Sequence, residues 1–281
     1  MTIAAGFVHS EGVLLCADTE LTAGDRKLQA SKIFHFDCAL GRFAFVFAGN
    51  VHNAVATLQK IEAVSKARRS AVGVVEHVLD REYRRLVLCQ PVQFHDVHDF
   101  SLIIAFRPPK SRVEMYFTDA VAIRREQFHA TVGIGSVFAE QLIDATANIG
   151  LVTRGDYLTL SAYILGSVKR RITKCGGASL FIDVGNNGSQ TELYGDDYLK
   201  AIEEWFGVYQ MLTWGLFVHL ADAQMSDEDF VRNLENFNQS MIGQRRKWMN
   251  LKARHIQISE DYQIISRSKA KPIQRVAKRD R

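Results

Sequence analysis

Two uninterrupted apolar runs, residues 13–17 and 43–47, constrain this chain more than any other feature. A strand with one face in water alternates apolar and polar side chains. A short run without alternation has the signature of a strand covered on both faces. The second run closes on Ala48-Gly49-Asn50, which is turn chemistry. With a small, apolar strand at residues 2–9, a turn at Glu11-Gly12 and strand composition at 33–36 within 27–36, the first 50 residues read as two hairpins.

Helical spacing then takes over. Residues 51–69 carry Val51, Val55, Leu58, Ile61 and Val64, and residues 74–88 carry Val75, Val78, Leu79 and Leu86. Strands return at 102–106, 113–118, 120–123 and 128–132. Helices follow at 136–149 and 158–172, then strands at 179–184 and 191–194. This order predicts an α+β fold of two sheets with helix pairs outside them, a four-layer αββα sandwich.

From residue 197 the character changes. Residues 198–220 form a helical, aromatic segment containing Trp205, Trp214 and Phe217. Ser226-Asp227-Glu228-Asp229 opens a further helix as a capping box, with Phe230, Leu234, Phe237 and Met241 in an amphipathic stripe. Residues 267–281 hold seven Lys/Arg and one acid. The expected division is a domain at 1–195, a helical extension at 196–266 and a basic, disordered tail at 267–281. The extension packs on the body or serves as a subunit contact.

Composition narrows the function. Forty-seven per cent apolar and 23% charged residues describe a globular chain. The N-terminus lacks the pattern of a signal peptide, and the apolar stretch 209–220 is too short to span a bilayer, so a cytoplasmic protein without a membrane partner is expected. The four cysteines show no CxxC spacing and read as reduced thiols. His95-Asp96-Val97-His98-Asp99 would scatter its ligands over both faces of a strand, and Gly185-Asn186-Asn187-Gly188 lacks the lysine of a phosphate loop. No metal or cofactor is expected. The near-neutral body makes nucleic acid an unexpected partner, the basic tail being its one point of attraction.

The chemistry concentrates at Thr2. Removal of Met1 would leave a threonine with a free α-amino group, whose pKa of about 7.7–8.0 suits a general base for its own hydroxyl. The residues that follow strengthen this reading: Gly12 to Thr19, ending Cys16-Ala17-Asp18-Thr19, then Ala23-Gly24, Ser31-Lys32-Ile33 and Phe47-Ala48-Gly49-Asn50. Val132-Gly133-Ile134-Gly135-Ser136 and Thr173-Lys174-Cys175-Gly176-Gly177 come later. Over residues 2–195 this ordered set resembles the proteasome β-subunit family of N-terminal-nucleophile hydrolases.

The resemblance implies Thr2 as nucleophile, Asp18 and Lys32 as its polar partners and the Gly49 N–H as oxyanion donor. Ser136 joins them as the hydroxyl of the glycine-rich loop. It also implies an apolar pocket of Leu21, Ala30, Phe47 and Val51 that suits small or medium apolar side chains. A peptide or protein substrate, a homo-oligomeric ring and an unidentified ATPase partner complete the expectation. The sequence departs from the family where an Asp and a Ser would support the amino group: Ile172 and Cys175 stand there. Ile134 replaces a serine between two glycines. These departures open the alternative of a catalytically weak or silent ring scaffold.

Overall fold

The computed structural model describes residues 2–23, 26–65, 71–85, 100–119, 122–146 and 150–194, then 202, 205, 213–218, 221–222 and 224–269. The chain divides into two compact units, Met1–Glu203 and Glu204–Arg281.

In the first unit a five-stranded antiparallel sheet is built from β1 (Ile3–His9), β2 (Gly12–Asp18), β10 (His129–Gly133), β11 (Ser179–Gly185) and β12 (Gln190–Tyr194), in the order β10-β1-β2-β11-β12. A second contains β5 (Ile33–Cys38), β6 (Gly41–Gly49), β7 (Phe100–Arg107), β8 (Glu114–Asp119) and β9 (Ala122–Glu126), in sequence order. A hairpin of β3 (Glu20–Ala23) and β4 (Arg26–Gln29) stands apart. The helices are α1 (Val51–Ser65), α2 (Ala71–Tyr83), α3 (Ser136–Thr146) and α4 (Arg154–Arg171).

Period-two alternation decides what each strand face meets. In β2, Val13, Leu15 and Ala17 join Ala44, Val46 and Ala48 of β6 and Ile103 and Ala105 of β7 in one core between the sheets. The residues between them point the other way. Phe43, Phe45 and Phe47 of β6 pack with Leu58 and Ile61 of α1 and Val75 and Val78 of α2. Phe43 stacks on Phe106 at 4.5 Å and on Phe36 at 5.0 Å between ring centroids. Helices α3 and α4 lie against β1, β2 and β10, where Phe7 meets the Tyr157 ring at 5.7 Å.

Aliphatic residues, several of them alanine, fill the space between the sheets, and the phenylalanines of β5, β6 and β7 face α1 and α2. A Cβ on Gly6 would come within 2.8 Å of Ile103 and Met115 and 2.9 Å of Leu15, so the sheets close to a distance only glycine tolerates there. Asn186 ties the far end of this unit together. Its backbone N–H donates to the Glu11 carbonyl at 2.7 Å, its side-chain oxygen accepts from the Val113 N–H at 2.9 Å, and its carbonyl accepts from Arg107 at 3.1 Å.

Several elements differ in extent from the sequence reading. Helix α4 begins at Arg154 because Thr153 and Asp156 close a capping box, one turn before the apolar stripe becomes recognisable. The sequence reading has no strand at β3, and β4 covers only the start of the poorly alternating pattern 27–36, whose remainder forms β5. Residues 95–99 lie outside the described residues, as do most of 198–220 and residues 270–281. The second unit contains α5 (Asp227–Lys269), which runs three residues into the segment expected to be a disordered tail. Ser226 opens it as the sequence suggests, its hydroxyl accepting from the Asp229 N–H at 3.1 Å.

Candidate active site

Antiparallel pairing sets the beginning of β1 beside the end of β2 and the end of β10, with Ala4 opposite Ala17 and Ile3 opposite Gly133. Thr2 therefore sits just before the first paired residue, and Asp18 closes β2 next to it. The Thr2 hydroxyl donates to Asp18 Oδ1. Lys32, between β4 and β5, reaches in from the side. Its Nζ donates to the Thr2 hydroxyl, to Asp18 Oδ1 at 2.6 Å and to the Glu20 carbonyl at 2.6 Å, which uses all three ammonium protons.

Asp18 is equally well partnered. Its Oδ1 also accepts the Ile3 N–H at 3.2 Å, and its Oδ2 accepts the Gly176 N–H at 2.9 Å. Both charged side chains have no solvent exposure, and Thr2 is buried at 2%. A buried ion pair of this kind survives only when its remaining lone pairs and protons are satisfied, as here. Burial lowers the Lys32 pKa from its ordinary value, and the Asp18 carboxylate opposes that shift. The threonine oxygen thus lies between an ammonium whose proton is loosened and a carboxylate that accepts its own.

Glycines bring backbone up to the nucleophile. Gly133 has φ +101°, and a Cβ there would collide with the Thr2 carbonyl oxygen and come within 3.0 Å of Ala48. The Gly135 N–H donates to the same carbonyl at 3.4 Å. Gly49, at φ +102°, ends β6 immediately after Ala48. Ser136 is half-buried and opens α3 directly after Gly135. Of the pocket residues, Leu21 and Ala30 are half-buried, both at the open end of the β3–β4 hairpin. Phe47 is enclosed in the α1-facing core, and Val51 packs against that core.

Cys175 occupies the loop that donates to Asp18. It is buried, and its thiol pKa is pushed up to about 12, first by burial and then by the Asp18 carboxylate. It is a neutral thiol at physiological pH, without the thiolate character of a reactive cysteine. Two backbone groups in the site carry no residue-type signal and escape a sequence reading: the Glu20 carbonyl and the Gly176 N–H. Only the Gly176-Gly177 pair hints at the second. Nearby, Lys27 Nζ lies 2.9 Å from Glu20 Oε1 and hydrogen-bonds Oε2 at 3.2 Å.

No family model matches the chain, and no curated protein sequence does. Solved structures do. Anbu, described as an ancestral beta-subunit, from Yersinia bercovieri superposes with a TM-score of 0.65 at 12% identity, covering 80% of this chain and 100% of that one. An Anbu Gly-1 mutant from Hyphomicrobium sp. strain MC1 gives 0.64 at 16% identity, covering 76% and 98%. A helical assembly of the Anbu complex from Pseudomonas aeruginosa gives 0.63 at 13% identity, covering 75% and 96%. The fold is proteasome-like. The neighbours are matched over nearly their whole length, while a fifth to a quarter of this chain lies outside the likeness.

Proposed function

We propose that this protein is a proteasome-like N-terminal threonine hydrolase acting on peptide or other amide bonds, with Thr2 as nucleophile once Met1 is removed. The observation that carries this reading is the buried Lys32 ammonium, which donates at once to the Thr2 hydroxyl, Asp18 and the Glu20 carbonyl. A lysine costs several kcal/mol to bury, and nothing in packing alone demands one against a threonine oxygen.

In this mechanism the freed α-amino group takes the hydroxyl proton as Thr2 Oγ1 adds to the substrate carbonyl carbon. Lys32 stabilises the developing alkoxide and Asp18 holds Lys32 in place. The Gly49 N–H receives the oxyanion, and Ser136 lends its hydroxyl near the amino group. Collapse of the tetrahedral species returns the proton to the leaving amine and leaves an ester on Thr2. Water, activated by the same amine, hydrolyses the ester. Leu21, Ala30, Phe47 and Val51 form the side-chain pocket and favour apolar residues.

The working form is a four-layer αββα sandwich at residues 1–195, with a helical extension at 196–266 and a basic tail at 267–281. It works in the cytoplasm as a homo-oligomeric ring, without a cofactor. The helical assembly described for the Anbu complex of the structural neighbour supports self-assembly. A second reading, a ring scaffold without catalysis, is favoured by Ile172 and Cys175, which remove polar support for the amino group.

Intact mass spectrometry with a peptide epoxyketone, which reacts with an N-terminal threonine, tests the first reading. One adduct on a chain lacking Met1, absent in Thr2→Ala, supports it. A chain that retains Met1 and takes no adduct leaves the scaffold reading.

A further inference from the structure

Helix α5 lies outside what the hydrolase reading uses. It runs for 43 residues, about 65 Å at 1.5 Å per residue. Starting at Phe230, alternating steps of four and three lead through Leu234, Phe237 and Met241 to Trp248 and Leu251, and on to Ile265. Every position in that series is apolar or aromatic except Gln244 and His255. Among the described side chains of this helix none is fully buried, and the first five positions of the series are only half-buried.

The period of the pattern says what kind of surface it fits. A straight helix turns once in 3.6 residues, so a strict 3.5-residue seam drifts by about 20° per heptad and about 100° along this helix. A flat surface, such as a bilayer, is met by a stripe that does not drift. A winding seam is met by another helix that supercoils with it. A lone glutamine and a lone histidine in such a seam cost stability and fix register, a role polar seam residues commonly take.

The flanks say which helix. The positions beside the seam include Arg245, Lys247, Lys252 and Arg254, and residues 245–254 contain no acid. In a parallel pair of identical α5 helices, Lys247 of one copy would face Lys252 of the other. In the fully overlapped antiparallel pair, Arg245 would face Lys252 and Lys247 would face Arg254. Both arrangements set like charges against each other, which opposes self-pairing.

We propose that α5 is a coiled-coil docking helix for a different protein, one that presents an amphipathic helix with Asp or Glu flanking its apolar seam. This is independent of the chemistry at Thr2. The probe is a labelled synthetic peptide of five heptads with Leu at the seam and Glu at the flanks, mixed with the full chain and read by fluorescence anisotropy. A second peptide with Lys at the flanks is the control.

The Glu peptide should bind and the Lys peptide should not. Binding should weaken about tenfold or more between about 50 and about 300 mM salt. It should fall at least as far in Arg245→Gln/Lys247→Gln/Lys252→Gln/Arg254→Gln, and also in Trp248→Ser/Leu251→Ser. Circular dichroism should show both variants folded, and the reaction of Thr2 with epoxyketone should be unchanged. Equal binding of both peptides, or of neither, overturns the proposal. A particle mass in sedimentation that falls in Trp248→Ser/Leu251→Ser also overturns it, because the partner is then a second copy. Tighter binding to phosphatidylserine vesicles or duplex DNA than to the Glu peptide does so too, because the helix then reads a polyanionic surface.

Discussion

Lys32 and Asp18 make each other tolerable. Removing the lysine leaves a carboxylate with no exposure and no counter-charge, although the Ile3 and Gly176 N–H groups still bind it. Lys32→Met should therefore destabilise by about 3–5 kcal/mol, toward the lower end because those donors remain. It should also abolish epoxyketone labelling. Urea denaturation and intact mass read the two effects separately. A variant as stable as the wild type would mean that the pair is not the buried charge the geometry describes.

The buried thiols give a pH prediction whose sign follows from their direction of shift. Cys16 and Cys175 are both raised from 9.0 to about 12, chiefly by burial. Between those values the folded chain holds protons that the unfolded chain has released. Stability from these groups is complete below pH 9 and is lost as pH rises, by about 1.4 kcal/mol per pH unit for each thiol. Lys32 acts in the opposite sense below its ordinary value of 10.5, since the unfolded chain then holds the proton that the folded chain gives up. Urea midpoints at pH 9 and 10.5 should fall more steeply in the wild type than in Cys16→Ala. Parallel slopes would remove burial of the Cys16 thiol as their cause.

At the scale of the elements, the unit is held by close sheet contact in the middle and by Asn186 at one end. Gly6→Ala forces a methyl against Ile103 and Met115 of the opposite sheet and Leu15 of the neighbouring strand, all below 3.0 Å. Overpacking of this kind costs about 1–3 kcal/mol. Asn186→Ala removes the acceptor of the Val113 N–H and a donor to the Ser10 carbonyl, about 1–3 kcal/mol for groups left unpaired. Thermal melts should show both losses. An additive double variant would agree with the separate locations of the two contacts, and strong coupling would argue that the turn and the sheet interface move together.

These two positions also mark the limit of what the sequence makes legible. The runs 13–17 and 43–47 announce buried strands because a short apolar stretch without alternation leaves neither face of a strand fit for water. The helices at α1 and α3 follow from period alone. Of the candidate site, the side chains of Thr2, Asp18 and Lys32 were legible in the sequence, and these three meet. The site was not legible where it uses backbone, as in the Glu20 carbonyl and the Gly176 N–H, since any residue supplies those groups. Nor did Gly6 stand out in a strand of small residues, because its meaning lies in the opposite sheet.

At the scale of the whole molecule, the two core clusters among the described residues draw their members from residues 4–184. The solved neighbours, too, are accounted for by 75–80% of this chain. Two compact units and core clusters confined to the first are what an independently folding domain shows, and on the docking proposal α5 is an added arm. A chain cut after Asp222 should keep a cooperative melt and the single epoxyketone adduct of the full protein. The thermal midpoint should shift by no more than a few degrees, the range that about 1 kcal/mol produces in a domain of this size. The same cut should abolish capture of the Glu-flanked peptide. A truncated chain that aggregates or melts without cooperativity would instead make the C-terminal unit part of the fold's own support. Helix α5 would then be a brace rather than an arm.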